Sequence, residues 1–132
     1  MAKHILVTGG NSGIGLALCK LLIKDHGCYV YLGSRDLGRG EAALKSIIDE
    51  VPNKADMIEV IEIDVGNDES CKAAAQALMT KGVKLYGLVN NAGVGGRSKA
   101  PEEVLNTNFY GPKRVTAAFI GKDQYLQYTY GS

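Results

Sequence analysis

The sequence lacks several features that would assign it to a specialised class of protein. It has no long basic run, and its 15 Lys and Arg residues nearly balance 14 Asp and Glu residues, for a net charge of +1. This balance gives no indication of a nucleic-acid partner. Its apolar stretches are far shorter than a membrane span, so no membrane partner is predicted. Its first residues already have the pattern of a strand, and no signal or transit peptide is expected.

Cysteine is scarce, and its placement predicts no disulfide or metal site. The three cysteines, Cys19, Cys28 and Cys71, are odd in number and have neither CxxC nor metal-ligand spacing. Cys19 falls within a predicted helix and Cys28 leads into a predicted strand. Both are expected to be small core residues rather than reactive thiols. These observations predict a reduced, cytoplasmic protein.

Strand and helix patterns alternate along the 132 residues, which predicts a single domain with a parallel sheet covered on both faces. Right-handed crossovers place strands two and three on one side of strand one and strand four on the other. We therefore expect a Rossmann-like, doubly wound α/β fold, truncated to about four strands in the order 3-2-1-4. Strands are predicted at about 4–8, 29–32, 57–63 and 85–89, and helices at about 14–25, 40–50, 67–79 and 101–120.

Strand four would form an exposed apolar edge unless another segment covers it, and such edges invite pairing. The last residues offer one way to cover it. Leu126, Tyr128 and Tyr130 alternate with other residues, which is typical of a short strand. A frayed tail is the alternative interpretation.

A glycine-rich loop separates the first strand from the first helix. The helix directs free N–H groups and its positive dipole end toward the loop, and glycine lets the backbone approach phosphate oxygens. The pattern predicts a diphosphate-binding loop, with a tight turn that holds no ligand as the alternative. The candidate residues are Gly9, Asn11, Ser12, Gly13, Ile14 and Gly15.

The end of strand two indicates which dinucleotide would bind. Ser34 occupies the position where an acidic residue would accept the ribose 2′-hydroxyl, and Arg35 follows it. An arginine fits a 2′-phosphate, so NADP (NADPH) is favoured over NAD. Two alternatives stay open, because Asp36 could pair with Arg35 or Arg39, and Arg35 could be a solvated surface residue.

Four segments resemble those of the short-chain dehydrogenase/reductase family, over about residues 3–120. The glycine loop, preceded by Thr8, resembles the family's TGxxxGIG loop, and residues 90–93 resemble its NNAG motif. Residues 32–36 and 94–97 look closest to the carbonyl-reductase-like branch. The resemblance implies that Asp64 and Val65 contact adenine, and that Asn91, Ala92 and Gly93 lie beside the nicotinamide ribose. Asn90 is expected to bridge strand ends.

The fourth resembling segment is 106–111, in which Asn108 matches the family's active-site asparagine. In that family the asparagine carbonyl holds a water in a proton relay. A helical carbonyl normally accepts from the N–H four residues later, which here is Pro112 and has none. We therefore expect the carbonyl of Asn108 to be available to water. A kinked helix without further purpose is the alternative.

The side chains that assist hydride transfer in the family have no counterpart here. The family uses a serine, and a tyrosine whose pKa is lowered by a lysine four residues later. In this chain Tyr125 is followed four residues later by Thr129, and Tyr128 by Ser132. We therefore expect an incomplete NADP-binding domain over 1–120, with a divergent tail over 121–132 and no catalysis by the chain alone.

Three interpretations follow from these motifs. The first is an oxidoreductase by descent that is truncated, alternatively spliced or evolved as a short form. The second is a nucleotide-responsive interaction module or subunit, which forms a homo- or hetero-oligomer through the strand-four edge or the fourth helix. The third is a fragment without function.

Overall fold

A computed structural model describes residues 2–93, 100–120 and 128–131. Its parallel sheet has the strand order β3-β2-β1-β4-β5, so the predicted order of the first four strands is confirmed. The Rossmann-like α/β class is confirmed with it. The strands are β1 (His4–Val7), β2 (Tyr29–Ser34), β3 (Ile58–Glu62), β4 (Gly87–Asn90) and β5 (Tyr128–Gly131).

Helices follow the strands, as a doubly wound fold requires. A short 3₁₀ helix, Pro52–Met57, precedes β3. In the ranges that the structure describes, no helix combines the length and the apolar character needed to cross a bilayer. The helices are α1 (Gly13–His26), α2 (Leu37–Glu50), α3 (Asp68–Thr80), α4 (Pro101–Leu105) and α5 (Gly111–Ile120).

The sheet has a hydrophobic core on each face. One core joins α1 and α2 to the sheet, and its buried members include Val7, Cys19 and Ile47. The other packs α3 and α5 on the opposite face, around residues such as Leu88 and Phe119. Cys19 and Cys28 are buried, as predicted. Burial raises the pKa of the Cys19 thiol to about 12, so little reactive thiolate forms near neutral pH.

Local sequence signals explain where the first three helices begin and end. Gly27 ends α1 in the left-handed conformation, with φ of 61°. Asn67 caps α3, as predicted, and its side chain accepts from the backbone N–H of Ser70. Helix α2 begins at Leu37 rather than near Gly40, because the side chain of Asp36 accepts from the backbone N–H of Arg39 and caps the helix.

The fourth predicted helix is not one regular α-helix. A π-helical turn, Asn106–Tyr110, separates α4 from α5 and contains Asn108. Pro112 follows the turn and has no N–H to continue the α-helical hydrogen bonding. The helix is therefore irregular at Asn108, in the form of a wider turn, and the availability of the Asn108 carbonyl to water stays a prediction.

Residues 128–131 extend the sheet beyond β4. β5 runs parallel to β4, with Tyr128 opposite Gly87 and Gly131 opposite Asn90. The interpretation of this segment as a strand is the one that the structure adopts. Strand four is therefore covered by the tail segment in this arrangement, because β5 pairs with its outer edge.

A cluster of polar and aromatic side chains lies near the starts of β1 and β2. The rings of His4 and Tyr29 stack with centroids 5.0 Å apart, and His4 Nδ1 is 2.9 Å from the hydroxyl of Tyr31. The hydroxyl of Tyr29 donates to Glu59 at 2.7 Å, and Lys81 donates to the other carboxylate oxygen. Burial alone would raise the pKa of Glu59, but these two hydrogen bonds outweigh it and hold that pKa below its ordinary value.

Candidate functional site

The glycine loop turns sharply at the carboxyl end of β1. Gly9 and Gly13 have backbone φ angles of 65° and 55°, which residues with a side chain rarely adopt. At Gly15 the constraint is space, because a Cβ there would lie 2.2 Å from the Gly9 carbonyl oxygen and 2.5 Å from Asn91 Nδ2. The absence of a side chain at Gly15 therefore lets the start of α1 lie close to the Gly9 backbone and the Asn91 side chain.

The start of α1 carries N–H donors that the helix itself does not use. Ser12 is the N-cap, but its side chain makes no capping hydrogen bond, and no acidic residue lies in the first turn. The first N–H groups of an α-helix have no partner within the helix. Gly13, Ile14 and Gly15 form this turn, and Ile14 is 81% exposed. The turn therefore presents donors and a positive dipole end to whatever lies in front of the loop.

Thr8 joins the glycine loop to the segment after β4. Its hydroxyl oxygen accepts from the backbone N–H groups of Asn91 and Ala92 at 3.0 and 3.1 Å and donates to the Val89 carbonyl at 3.3 Å. Thr8 is 1% exposed, so these bonds are formed in the interior. One side chain thus fixes the backbone that carries two of the predicted site residues.

A cleft of about 250 Å³ opens at the carboxyl ends of the strands. In doubly wound folds this is where ligands bind, at the point where the strand order reverses. The cleft brings together the glycine loop, the end of β2, the end of β3 and the segment after β4. Its lining includes the predicted residues Gly9, Asn11, Ser12, Arg35, Asp64, Val65, Asn91, Ala92 and Gly93, whereas Gly13, Ile14, Gly15 and Asn108 are not part of it.

Two arginines lie between the end of β2 and the first turn of α2. Arg35 and Arg39 both line the cleft and both are exposed. Asp36 lies between them but forms no ion pair with either in the part of the chain that the structure describes. Its carboxylate caps α2 instead, at 3.0 Å from the Arg39 backbone nitrogen. The alternative in which Asp36 neutralises an arginine is not what the structure shows.

The end of β3 forms the opposite wall of the cleft. Asp64 Oδ1 accepts from the backbone N–H of Gly66 at 2.9 Å, and the Asp64 backbone N–H donates to the Ser70 hydroxyl at 2.8 Å. Val65 is buried and Ile63 lies beside it in the lining. Two apolar residues of the lining therefore lie next to a turn that is held by hydrogen bonds to Asp64.

Asn90, the last residue of β4, and Asn91, which follows it, differ in their contacts. Asn91 Nδ2 donates to the Gly9 carbonyl at 3.1 Å, so Asn91 makes the bridge between strand ends. Asn90 was expected to make it, but Asn90 is 8% exposed and its Oδ1 has no hydrogen-bond partner within the described residues. Bridging by Asn90 stays a prediction, whereas Asn91 forms such a bridge one residue later.

Asn108 lies next to the cleft rather than in its lining. A Cβ on Gly93 would be 3.2 Å from Asn108 Oδ1, so the side chain of Asn108 contacts the carboxyl end of the NNAG segment. Thr107, the preceding residue of the π-turn, does line the cleft. Residues 94–97, which resemble the carbonyl-reductase-like branch, lie outside the described residues.

The predicted site residues do not include five residues that line the cleft: Ser34, Asp36, Arg39, Ile63 and Thr107. Arg39 lies four residues after Arg35, and the Asp36 cap brings the first turn of α2 toward the same ligand position. Recognition of Asp36 as an N-cap would have predicted this. Thr107 reaches the lining through the π-turn, and its placement has no signal in the sequence beyond Pro112.

Comparison with known proteins identifies the family. The family model for short chain dehydrogenases matches residues 3–124, which is most of the chain. The chain belongs to the short chain dehydrogenase family. The expected resemblance is therefore confirmed, and the shared fold is that of family members of known structure. The family consists of oxidoreductases that bind a nicotinamide dinucleotide.

Individual relatives are enzymes with longer chains. A short-chain dehydrogenase/reductase from Aspergillus calidoustus, drtF, is 46% identical over 92 residues, which cover 70% of this chain and 28% of that protein. (+)-Neomenthol dehydrogenase from Arabidopsis thaliana is 33% identical over 143 residues, which cover 89% of this chain and 48% of that protein. This chain thus spans about half or less of these relatives.

Solved structures give the same result. Menthone neomenthol reductase from Mentha piperita superposes with a TM-score of 0.82 at 30% identity, over 91% of this chain and 55% of that chain. The NADPH-bound carbonyl reductase from chicken fatty liver superposes with a TM-score of 0.71 at 28% identity, over 90% of this chain and 50% of that chain. The family members of known structure therefore contain this fold within a longer chain.

Proposed function

We propose that residues 1–120 form an NADP(H)-binding domain and that residues 121–132 are a divergent tail. The single observation that carries the proposal is the cleft, because it collects nine of the predicted cofactor-binding residues at one edge of the sheet. In the proposed complex the diphosphate lies on the glycine loop and at the start of α1, where unpaired N–H groups and the dipole favour anions.

The proposed NADP preference rests on Arg35 and Arg39. Two guanidinium groups border the cleft where β2 ends, and Ser34 there offers no carboxylate to a ribose hydroxyl. The Ser34 hydroxyl instead donates to the Asp36 carbonyl at 2.7 Å. Arginine binds phosphate through two parallel N–H groups, so a 2′-phosphate would gain two such partners. NAD, which lacks that phosphate, would gain neither.

The remaining predicted residues have proposed places in the same complex. Asp64 and Val65 would contact adenine, and Asn91, Ala92 and Gly93 would lie beside the nicotinamide ribose. Asn108 would stand at the relay position next to Gly93. The 132 residues contain no Tyr-x-x-x-Lys pair. We therefore propose that the chain by itself binds the cofactor of an oxidoreductase without efficient hydride transfer.

Calorimetric titration tests the cofactor preference. The double variant Arg35→Ala/Arg39→Ala should bind NADP+ at least about tenfold more weakly, because hydrogen bonds to a charged group are lost. Its affinity for NAD+ should change little. Lys45→Ala, on the same helix and away from the cleft, is the matched control. Equal losses for NADP+ and NAD+ would contradict recognition of the 2′-phosphate.

A turnover assay tests the absence of catalysis. The chain is mixed with NADPH and menthone, the carbonyl compound in the name of a structural relative, and NADPH absorbance is followed. We expect no decay above that of NADPH alone. Turnover at the rate of an intact family member would show that other residues replace the missing tyrosine and lysine.

A second candidate function is an interaction module that pairs with another copy of this chain. The observation in its favour is the set of exposed apolar side chains along the fourth-helix region: Leu105, Phe109, Tyr110 and Ile120. Exposed apolar side chains that lie near one another are typical of contact surfaces. Sedimentation of the chain with and without NADP+ tests this, and a monomer at high concentration in both conditions would exclude it.

A further inference from the structure

Arg114 makes a network of contacts outside the cleft that the proposed cofactor roles do not use. From α5, its Nη1 donates to the Val65 carbonyl at 3.2 Å and to the Asn106 carbonyl at 3.0 Å. Its Nη2 donates to the side-chain oxygen of Asn106. Nε lies 4.0 Å from a carboxylate oxygen of Asp68, and the side chain is 23% exposed. One guanidinium therefore connects α5, the π-turn and the loop after β3.

Asn106 completes the connection from the other side. Its Nδ2 donates to the Gly66 carbonyl at 3.1 Å, so two adjacent carbonyls of the loop accept from side chains of the 106–114 segment. Gly111 lets the segments approach, since a Cβ there would lie 2.9 Å from Val65 Cγ2. The loop Asp64–Gly66 is thus fixed by hydrogen bonds and by close packing against the start of α5.

Both segments joined by Arg114 line the cleft. Asp64 and Val65 belong to the wall at the end of β3, and Thr107 belongs to the π-turn. We propose that Arg114 is a positioning residue for nucleotide binding: it fixes the Asp64–Gly66 loop and the π-turn relative to each other before the adenine moiety enters. This proposal rests on the proposed NADP(H)-binding function.

The geometry requires an arginine rather than any cation. The guanidinium donates in several directions within one plane, here to two backbone carbonyls and one amide oxygen. A lysine has one nitrogen at the end of a flexible chain and cannot reach the same three acceptors in the same arrangement. A wall that is already in place lowers the ordering cost of binding, which raises affinity.

Titration of the full chain with adenosine 2′,5′-bisphosphate and NADP+ tests the proposal. Arg114→Lys and Arg114→Met should each bind both ligands about tenfold more weakly than the unmodified chain. Lys113→Met, an exposed neighbour on the same helix, should bind as tightly as the unmodified chain. All measurements are made at a temperature at which circular dichroism shows each variant to be folded.

Hydrogen exchange distinguishes positioning from a general loss of stability. In the Arg114 variants the amides of Gly66 and Asn67 should exchange faster, while those of β1 and β2 keep their protection. Uniformly faster exchange would indicate a merely structural role and would overturn the proposal. If Arg114→Met does not fold, Asn106→Ala removes the side-chain hydrogen bonds of Asn106 to Gly66 and to Arg114 Nη2 and should also weaken binding of both ligands.

The two proposals fail in different ways. If the unmodified chain binds neither ligand, the proposed function is wrong and the role of Arg114 falls with it. If the unmodified chain binds and the folded Arg114 variants bind equally well, the proposed function stands and the positioning role is wrong.

Discussion

Thr8 shows how one buried hydroxyl fixes two strand ends at once. Replacement of Thr8 by Val keeps the shape of the side chain but leaves the N–H groups of Asn91 and Ala92 without their acceptor. We expect Thr8→Val to lower the free energy of unfolding by about 2 kcal/mol or more. Urea unfolding followed by circular dichroism measures this.

Thr8→Ser is the matched control for that prediction. It retains the hydroxyl and removes one methyl group, so the loss should be about 1 kcal/mol. A larger loss in Thr8→Ser than in Thr8→Val would show that packing, and not hydrogen bonding, determines the contribution of Thr8.

Glu59, near the start of β3, makes a pH-dependent contribution to the free energy of unfolding. Its pKa in the folded state lies below the ordinary value of 4.5, because Lys81 and Tyr29 donate to it. The stabilisation is therefore complete above about pH 4.5 and is lost as the pH falls through the folded-state pKa. We expect Glu59→Gln to lower the free energy of unfolding by less than about 1 kcal/mol at pH 7, since the pair is partly exposed.

Urea unfolding at neutral and at acidic pH tests the direction of this pH dependence. The difference between Glu59→Gln and the unmodified chain should shrink as the pH falls, because protonation removes the same charge that the substitution removes. A difference that grows on acidification would contradict the assignment.

The sequence predicts residues well where the signal is local. Gly9, Asn11 and Ser12 of the glycine loop, Arg35 and residues 91–93 line the cleft, because strand ends in a parallel sheet meet at one edge. Arg114 shows the limit, since its partner Val65 lies 49 residues earlier and no periodicity connects them. The assignment of cofactor-binding roles to all these residues stays a prediction.

At the scale of elements, the N-cap residue Asp36 affects both the stability of α2 and the charge beside Arg35 and Arg39. Asp36→Ala removes the acceptor for the Arg39 N–H and should lower the free energy of unfolding by about 1 kcal/mol, whereas Asp36→Asn keeps a capping oxygen and should lower it little. Asp36→Asn also removes a negative charge next to Arg35 and Arg39, so NADP+ should bind it more tightly.

Unfolding and titration of the two Asp36 variants separate these effects. Stability should follow the capping oxygen, and NADP+ affinity should follow the charge. If Asp36→Asn loses as much stability as Asp36→Ala, the carboxylate acts through its charge rather than as an N-cap.

Element boundaries differ from expectation where side chains, rather than periodicity, set them. Helix α2 begins at Leu37 because Asp36 caps it, although the apolar pattern indicates a start near Gly40. The fourth helix contains a π-turn at Asn106–Tyr110, because Pro112 cannot donate and Gly111 lies against Val65. Asp36 and Pro112 are visible in the sequence, whereas the contact between Gly111 and Val65 is known only from the structure.

At the scale of the whole molecule, β5 covers the outer side of β4 and is itself the outermost strand of the described sheet. Its pairing with β4 occupies the backbone groups of the outer edge, which would otherwise be available to another chain. We expect a chain that ends at Ile120 to self-associate and to melt at a lower temperature. Sedimentation and thermal melts measure both properties.

A chain that lacks Ser132 alone is the control for the deletion. It retains all four register pairs of β5 and should sediment and melt like the unmodified chain. Identical behaviour of the chain that ends at Ile120 would show that β5 contributes nothing to protection of the edge.

Nucleotide binding by this half of a short chain dehydrogenase is the central claim, and thermal melts with and without NADP+ or NAD+ test it most directly. A ligand that binds only the folded state stabilises by about 2.7 kcal/mol at 100 times its dissociation constant, or roughly 10 °C for a domain of this size. We expect that shift with NADP+ and a smaller one with NAD+. A cooperative transition that neither nucleotide moves, or no cooperative transition, would contradict the claim.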